Sequence, residues 1–217
     1  VDRLRFFADR FENEEPSIAA DAFDELARAS YQQVLELGPH LNREKLLGWL
    51  KDPDVIVSRK RLYYTLLTTC GKPEDVAWLE EVIRSGDKQR QAGLDALIAC
   101  YLTLAGDKGM SVVEEVFLRN PETPQLELFS VIQAIRFHGT ETDKISRERL
   151  VQAIRLVLDR PQMADMVIPD LARWQDWSVM DRLVVMFRDA NSEDTRWIRT
   201  PIISYLFECP LEQADKY

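Results

Sequence analysis

The chain has 217 residues, of which 46% are hydrophobic and 30% are charged. This composition can support a sizeable core and excludes a disordered or collagen-like chain. The 37 acidic residues outnumber the 28 basic ones, so the formal charge is −9, which argues against nucleic-acid binding because that function needs a cationic surface. No window approaches the roughly 18 continuous apolar residues of a membrane span, so we expect no membrane insertion.

Helical periodicity dominates the sequence. Apolar residues recur at spacings of three and four, as in Leu62, Leu66 and Leu67, within segments of 10 to 20 residues that turn residues separate. No stretch alternates between apolar and polar residues for long enough to form a strand. The sequence therefore predicts an all-α fold.

Residues that stop helices recur at a nearly constant interval. The stop residues are Gly38, Gly71, Gly106, Gly139, Asp176 and Pro210. Their spacings are 33, 35, 33, 37 and 34 residues, and a period of this size is typical of stacked helical repeats. The residue four positions before each stop is apolar in every case: Val34, Leu67, Leu102, Ile135, Ala172 and Leu206.

We predict about six helix pairs, each made of a first helix, a short turn and a second helix that ends at a stop residue. The first helices are expected at residues 1–12, 42–51, 73–85, 109–119, 145–159 and 178–188. The second helices are expected at residues 16–37, 57–70, 88–105, 124–138, 163–175 and 194–208. Because one pair cannot bury its apolar face alone, stacking predicts a single elongated solenoid domain, a right-handed superhelix over residues 1–217. The chain opens without Met, and we expect a fragment of a longer protein.

The second of these predicted helix pairs resembles a HEAT repeat. It runs from an apolar helix at Leu46 through the turn Asp52-Pro53-Asp54 and Arg59 to an apolar stretch that closes at Gly71. The other units share its period and apolar register. The resemblance implies that a turn aspartate and the arginine beyond it pair between adjacent units, a role that falls by position to Asp54 and Arg59. It also implies that the second helices line a concave binding face.

Side chains that could support catalysis are sparse. The two histidines, His40 and His138, lie about three repeats apart, and the three cysteines are too few and too far apart for a disulfide framework. The sequence contains neither a zinc-ligand spacing nor a glycine-rich phosphate loop. We therefore predict no catalytic, metal or cofactor site, and we do not expect an enzyme.

Three consecutive basic residues, Arg59, Lys60 and Arg61, open the second helix of the second predicted helix pair. They could bind an acidic partner or a phosphate group. They could equally pair with Asp52, Asp54 and the acidic residues of the first predicted helix pair. We favour pairing, because surface charges near a turn usually serve structure or solubility.

The better candidate for partner binding lies on the second helices of the fourth and fifth predicted helix pairs. It consists of residues outside the apolar register of these helices and of aromatic residues beside them. The candidate residues are Gln133, Arg136, His138, Asp170, Arg173, Trp174 and Trp177. Arg136 and Arg173 occupy the same offset in adjacent units, so we expect a ladder that grips a carboxylate or a peptide. Arginine and tryptophan together are enriched at interaction hot spots.

A structural explanation of the same residues stays open. Pro169 and Pro201 fall inside predicted second helices, where we expect kinks or breaks. The tryptophans could then fill the packing gap at Pro169, while Arg173 bonds to Asp170 or Asp176.

The sequence thus favours a non-catalytic interaction or scaffold module that binds a protein or peptide on its concave face. One alternative is an enzyme, because HEAT-like scaffolds also carry DNA glycosylases and bilin lyases; Asp170, Arg173 and Trp174 would be its candidates. Another is a purely structural spacer. The sequence leaves the compartment and the oligomeric state open.

Overall fold

The computed structural model describes residues 2–191 and 195–216. Helices account for most of these residues, and no strand occurs among them, which confirms the all-α prediction. Contacts group the chain into two compact units that divide after Val112.

The first unit contains the helices α1 (Asp2–Ala8), α2 (Pro16–Ala27), α3 (Tyr31–Leu37), α4 (Arg43–Lys51), α5 (Val57–Cys70), α6 (Asp75–Arg84) and α7 (Leu94–Ala105). Consecutive helices pack as pairs, with α1 on α2, α4 on α5, and α6 on α7. The helices α3, α5 and α7 also pack side by side. Tyr63, Leu66 and Leu97 are therefore fully buried.

A close backbone approach sets the spacing of α5 and α7. Gly93, which precedes α7, has a φ of 74°, a left-handed conformation that glycine adopts without steric cost. A Cβ atom at this position would lie 3.0 Å from the Cα atom of Arg61 on α5. A side chain here would require the two backbones to separate by a few tenths of an ångström, in addition to a strained left-handed conformation.

The second unit is also built from helices that pack on one another. The short helix α8 (Met110–Val113) spans the division and continues into a π-helical turn, Glu114–Leu118. The helices that follow are α9 (Gln125–Thr140), α10 (Arg147–Arg155), α11 (Pro161–Arg173), α12 (Met180–Asp189) and α13 (Arg199–Glu208). Here α9 packs on α10 and α12 on α13, while α11 contacts both α9 and α13.

Several second helices lie where the sequence predicts them. The helix predicted at 57–70 is α5, with the same bounds, and those predicted at 124–138 and 163–175 are α9 and α11 within two residues at each end. The helix predicted at 88–105 begins only at Leu94, after the left-handed Gly93. Val1 and Asp194, the first residues of two predicted helices, lie outside the described residues.

The helix predicted at 16–37 is wrong, because the chain forms α2 and α3 instead. The hydroxyl of Ser30 accepts a hydrogen bond from the Gln33 amide (3.3 Å), and the Gln33 side chain accepts one from the Ser30 amide (2.9 Å). This capping box satisfies two backbone donors at the start of a new helix. The apolar register continues on both sides of the break, and periodicity alone therefore misses it.

Neither proline breaks its helix. The helix α11 continues through Pro169, which is exposed. Pro201 is the third residue of α13, in the first turn, where a missing backbone donor removes no hydrogen bond within the helix. The predicted breaks at these residues are therefore absent.

Candidate functional site

Two of the predicted arginines meet at one buried carboxylate in the second unit. Arg136 on α9 donates from Nε to Oδ2 of Asp170 on α11 (2.8 Å), and Arg173 donates from Nη1 to Oδ1 of the same group (2.9 Å). The Asp170 side chain is 1% exposed, whereas that of Arg136 is 26% exposed and that of Arg173 is 60% exposed. Arg173 is therefore the cation that solvent or a partner reaches more easily.

Arg136 also ties the two helices together. Its Nη2 donates to the backbone carbonyl of Met166 on α11 (2.5 Å), in addition to its bond with Asp170. The two arginines thus share an anion of the protein, and the bond between Arg173 and Asp170 is the one that the structural explanation of the sequence expects.

His138 is enclosed rather than presented to solvent. It is 1% exposed, its Nδ1 lies 3.1 Å from Oγ1 of Thr142, and its ring meets that of Phe137 at a centroid distance of 5.3 Å. Gln133, on the same helix, is half-buried. The side chains of His138 and Asp170 are thus closed to direct contact, while Gln133 and Arg136 are partly accessible.

The two predicted tryptophans are half-buried and pack against neighbouring elements. Arg147, the first residue of α10, lies over the ring of Trp174 at 5.0 Å from its centroid, and its Nη2 donates to the Gly139 carbonyl (2.9 Å). The ring of Trp174 covers Gly139 so closely that a Cβ atom there would overlap with it. Trp177 packs against Tyr205 of α13, with a centroid distance of 5.0 Å.

Sequence reasoning treated Asp176 mainly as a stop residue and missed its role in a buried ion pair. Arg155 at the end of α10 donates to both of its carboxylate oxygens, each at 2.6 Å, and the Ser178 hydroxyl donates to it at 2.7 Å. Burial raises the pKa of Asp176, but these hydrogen bonds outweigh burial and leave the pKa below its ordinary value.

Among the described residues, four hydrogen-bonded ion pairs join residues about one repeat period apart. They are Arg43–Asp75, Arg61–Asp95, Glu114–Arg149 and Arg136–Asp170, with sequence separations of 32, 34, 35 and 34 residues. Two of them lie in each unit. In the first of these pairs, burial raises the pKa of Asp75, but bonds from Arg43 and the Lys72 amide hold it below its ordinary value.

The basic cluster in the first unit divides into two paired residues and one that is not. Arg59 donates to Glu12 (2.7 Å). Among the described residues, its ion pair is therefore with Glu12 of the first predicted helix pair and not with Asp54. Arg61 bonds to Asp95 (2.6 Å). Lys60 is 2% exposed, and it forms no hydrogen bond or ion pair with any described residue. It lines a cavity of about 250 Å³.

No group of three or more metal-ligating side chains is found in the described ranges 2–191 and 195–216. Cys70, Cys100 and Cys209 are free thiols. Burial raises the pKa of Cys70 to about 11 and places that of Cys100 well above its ordinary value. These two thiols are therefore poor nucleophiles near neutral pH, because the thiolate is the reactive form.

One helical stretch of the described residues, Leu94–Leu118, is long and apolar enough to cross a membrane by length and composition alone. In the structure, 61% of its apolar window is buried. Core helices of folded domains have the same properties, so this stretch is weak evidence for a membrane span.

Comparison of the chain with protein-family profiles, with curated proteins and with solved structures finds no match.

Proposed function

We propose that the chain is a right-handed stack of about six HEAT-like helix pairs that binds a protein or peptide through its second helices, without catalysis. The observation that carries this proposal is the recurrence of the four ion pairs at 32 to 35 residues, close to the spacing of the stop residues. The side-by-side packing of α5 with α7, and of α11 with α9 and α13, supports it. Stacked repeats place equivalent elements of adjacent units in contact in this way.

The proposed binding surface lies on α9, α11 and α13 and is called the second-helix surface. It consists of Leu126, Phe129, Gln133, Arg136, Arg173, Ile203 and Phe207. Leu126, Phe129, Gln133 and Arg136 follow one another at spacings of three and four, so they share one face of α9.

Large apolar side chains on this surface are exposed to solvent. Leu126 is 77% exposed, and Phe207 on α13 is 88% exposed. Phe129 and Ile203 are 40% and 42% exposed. Exposed apolar side chains together with an accessible arginine are typical of interaction surfaces.

The chemistry of the second-helix surface defines the partner. Apolar side chains of a peptide would pack on Phe129 and Phe207, and an acidic group would reach the exposed Arg173. Trp174 and Trp177 are half-buried and pack on Arg147 and Tyr205, so they are left out of the surface. The partner proposed is therefore a peptide or protein segment that combines apolar and acidic residues.

Affinity capture followed by mass spectrometry tests the proposal. The double variant Phe129→Ser/Arg173→Glu removes one apolar anchor and reverses the exposed charge. We expect proteins that wild type captures to be depleted at least about ten-fold, because hot-spot substitutions cost roughly 1.4 kcal/mol or more.

The matched control is Ile18→Ser/Arg28→Glu in the first unit. Ile18 is 41% exposed, and the side chain of Arg28, the residue after α2, is 75% exposed and paired with Asp24 of that helix, so exposure and charge change are closely matched. Equal depletion by both double variants, or by neither, would contradict the proposed surface. Wild-type protein that captures no specific partner would favour a spacer, and salt-dependent retention of duplex DNA would favour a glycosylase.

A further inference from the structure

A cavity of about 250 Å³ lies in the first unit, apart from the second-helix surface. Its wall combines the end of α4, the turn that follows, the first turn of α5, the face of α6 and the segment before α7. The lining residues are Leu50, Lys51, Pro53, Lys60, Trp78, Val82, Asp87, Gln89 and Arg90. The volume is slightly below the usual range for small-molecule sites, so it suits a small ligand.

Lys60 is the feature of this cavity that points to a ligand. The residue is 2% exposed, yet its ammonium group has no hydrogen bond or ion pair with any residue in the described part of the chain. Burial lowers its pKa below the ordinary value, and the nearby carboxylates of Asp52 and Asp87 oppose that shift only partly. A partly desolvated charge without a hydrogen-bonded partner is unfavourable, and an anion in the cavity would supply one.

Two further polar atoms without partners belong to residues that are near lining residues of this cavity along the chain. Among the described residues, the fully buried side-chain nitrogen and oxygen atoms that lack a hydrogen-bond partner are Oη of Tyr64 and Oε1 of Gln91. Nζ of Lys60 is not one of them, so this nitrogen opens to the cavity. Tyr64 lies one turn beyond Lys60 on the same face of α5, and Gln91 follows the lining residue Arg90. Buried polar atoms are normally bonded to protein or to ordered water.

The charges of the wall set the charge of the ligand. Lys51, Lys60 and Arg90 are cationic, and Asp87 is anionic. Arg90 is already bonded to Glu81 (2.8 Å), and the carboxylate of Asp52 also lies near Lys60. The wall therefore carries little net positive charge, which suits a singly charged anion better than a doubly charged phosphate.

The remaining wall is apolar and partly flat. Leu50, Val82 and the indole of Trp78 line the cavity, and Nζ of Lys51 lies 5.3 Å from the centroid of the Trp78 ring. A flat apolar body would pack on the indole while its carboxylate meets Lys60.

We propose that this cavity binds a small monocarboxylate with a flat apolar body, and that the ammonium group of Lys60 holds the carboxylate. This site is separate from the second-helix surface, so each proposal stands or fails alone.

Isothermal titration calorimetry with benzoate tests this site. For wild type we expect saturable binding with a Kd below about 1 mM, a realistic affinity for so small a ligand. Benzamide has nearly the same shape without the charge, and we expect it to bind at least about ten-fold more weakly. Equal affinity for the two compounds, no benzoate binding, or tighter binding of inorganic phosphate would overturn the proposal.

The variant Lys60→Met should weaken benzoate binding at least about ten-fold, whereas Lys45→Met, at an exposed lysine of the same unit, should not change it. Unchanged affinity in Lys60→Met would overturn the assignment. In case Lys60→Met does not fold, the indole signals of the five tryptophans in wild-type NMR spectra locate the ligand. Benzoate should shift the Trp78 signal most, identified from Trp78→Phe; a larger shift at another tryptophan would overturn the site.

Discussion

Five charged side chains are buried in the described part of the chain, and four of them have an arginine within hydrogen-bonding distance. The paired ones are Asp75, Glu114, Asp170 and Asp176. Each carboxylate exchanges its hydration for charge-assisted hydrogen bonds, which are roughly twice as strong as neutral ones. Lys60 is the exception, because no hydrogen bond or ion pair offsets the burial that lowers its pKa, and Asp52 and Asp87 oppose that shift only partly.

Lys60→Met should raise the free energy of unfolding by about 1 kcal/mol near neutral pH, because methionine fills the same space without a partly desolvated charge. The pKa of Lys60 is lowered in the folded state, so the penalty is complete below the folded pKa and disappears as pH rises to the unfolded pKa. The advantage of methionine should therefore shrink as the solution becomes alkaline.

Urea unfolding at about pH 7 and about pH 10 measures this difference. Lys45→Met provides the control, since an exposed substitution should stay within about 0.5 kcal/mol of wild type. A less stable Lys60→Met would show that the ammonium group has a stabilising partner. If the prediction holds, the same substitution improves stability and removes the proposed ligand site, a trade-off common at functional positions.

At the scale of the helices, the contact between the end of α9 and the end of α11 depends on Gly139. Gly139 near the end of α9 lies under the Trp174 ring, so Gly139→Ala should lower the free energy of unfolding by about 1–3 kcal/mol through overpacking. Gly48 in α4 has no atom within 4 Å of the position its Cβ would occupy.

The control Gly48→Ala should therefore raise stability by about 0.5–1 kcal/mol, because alanine favours a helix more than glycine does. Opposite signs for the two glycines, measured by thermal or urea unfolding, are the expected result. A neutral Gly139→Ala would mean that Trp174 can move away at little cost.

At the same scale, sequence periodicity predicts helices well and their interruptions poorly. The bounds of α5 follow directly from its apolar spacing and its closing glycine. The break at Ser30 depends on two local hydrogen bonds, which apolar spacing does not report. The late start of α7 depends on the backbone conformation of Gly93, and the seven residues before it have no periodic signal that distinguishes a turn from a helix.

The candidate site shows a similar division. The repeat register predicts that Arg136 and Arg173 belong to one wall, and both bind Asp170. It does not predict that Asp170 and His138 are buried, because burial depends on which neighbouring helix covers each face. The exposed Phe207 was not singled out, although an apolar residue off the register is a visible signal. The cavity at Lys60 brings together residues 50 to 90, and its shape cannot be derived from spacing.

At the scale of the whole molecule, the repeat proposal predicts the dimensions of the protein in solution. A compact domain of this length has a radius of gyration of about 17 Å. Six helix pairs stacked at roughly 9–10 Å per layer would extend to about 55 Å, and small-angle X-ray scattering should then give a radius of gyration above the compact value. A result of about 17 Å or less would contradict a continuous stack.

The contact of Gly93 with the Arg61 backbone has a consequence for how the chain can evolve. Any other residue at position 93 would introduce a Cβ atom 3.0 Å from a main-chain atom, and main chain cannot rotate aside as a side chain can. A substitution there would therefore have to move one backbone by a few tenths of an ångström and hold a strained left-handed conformation. The separation of α5 and α7 thus depends on glycine at this one position. We expect homologues of this protein to keep glycine here while their surface residues change.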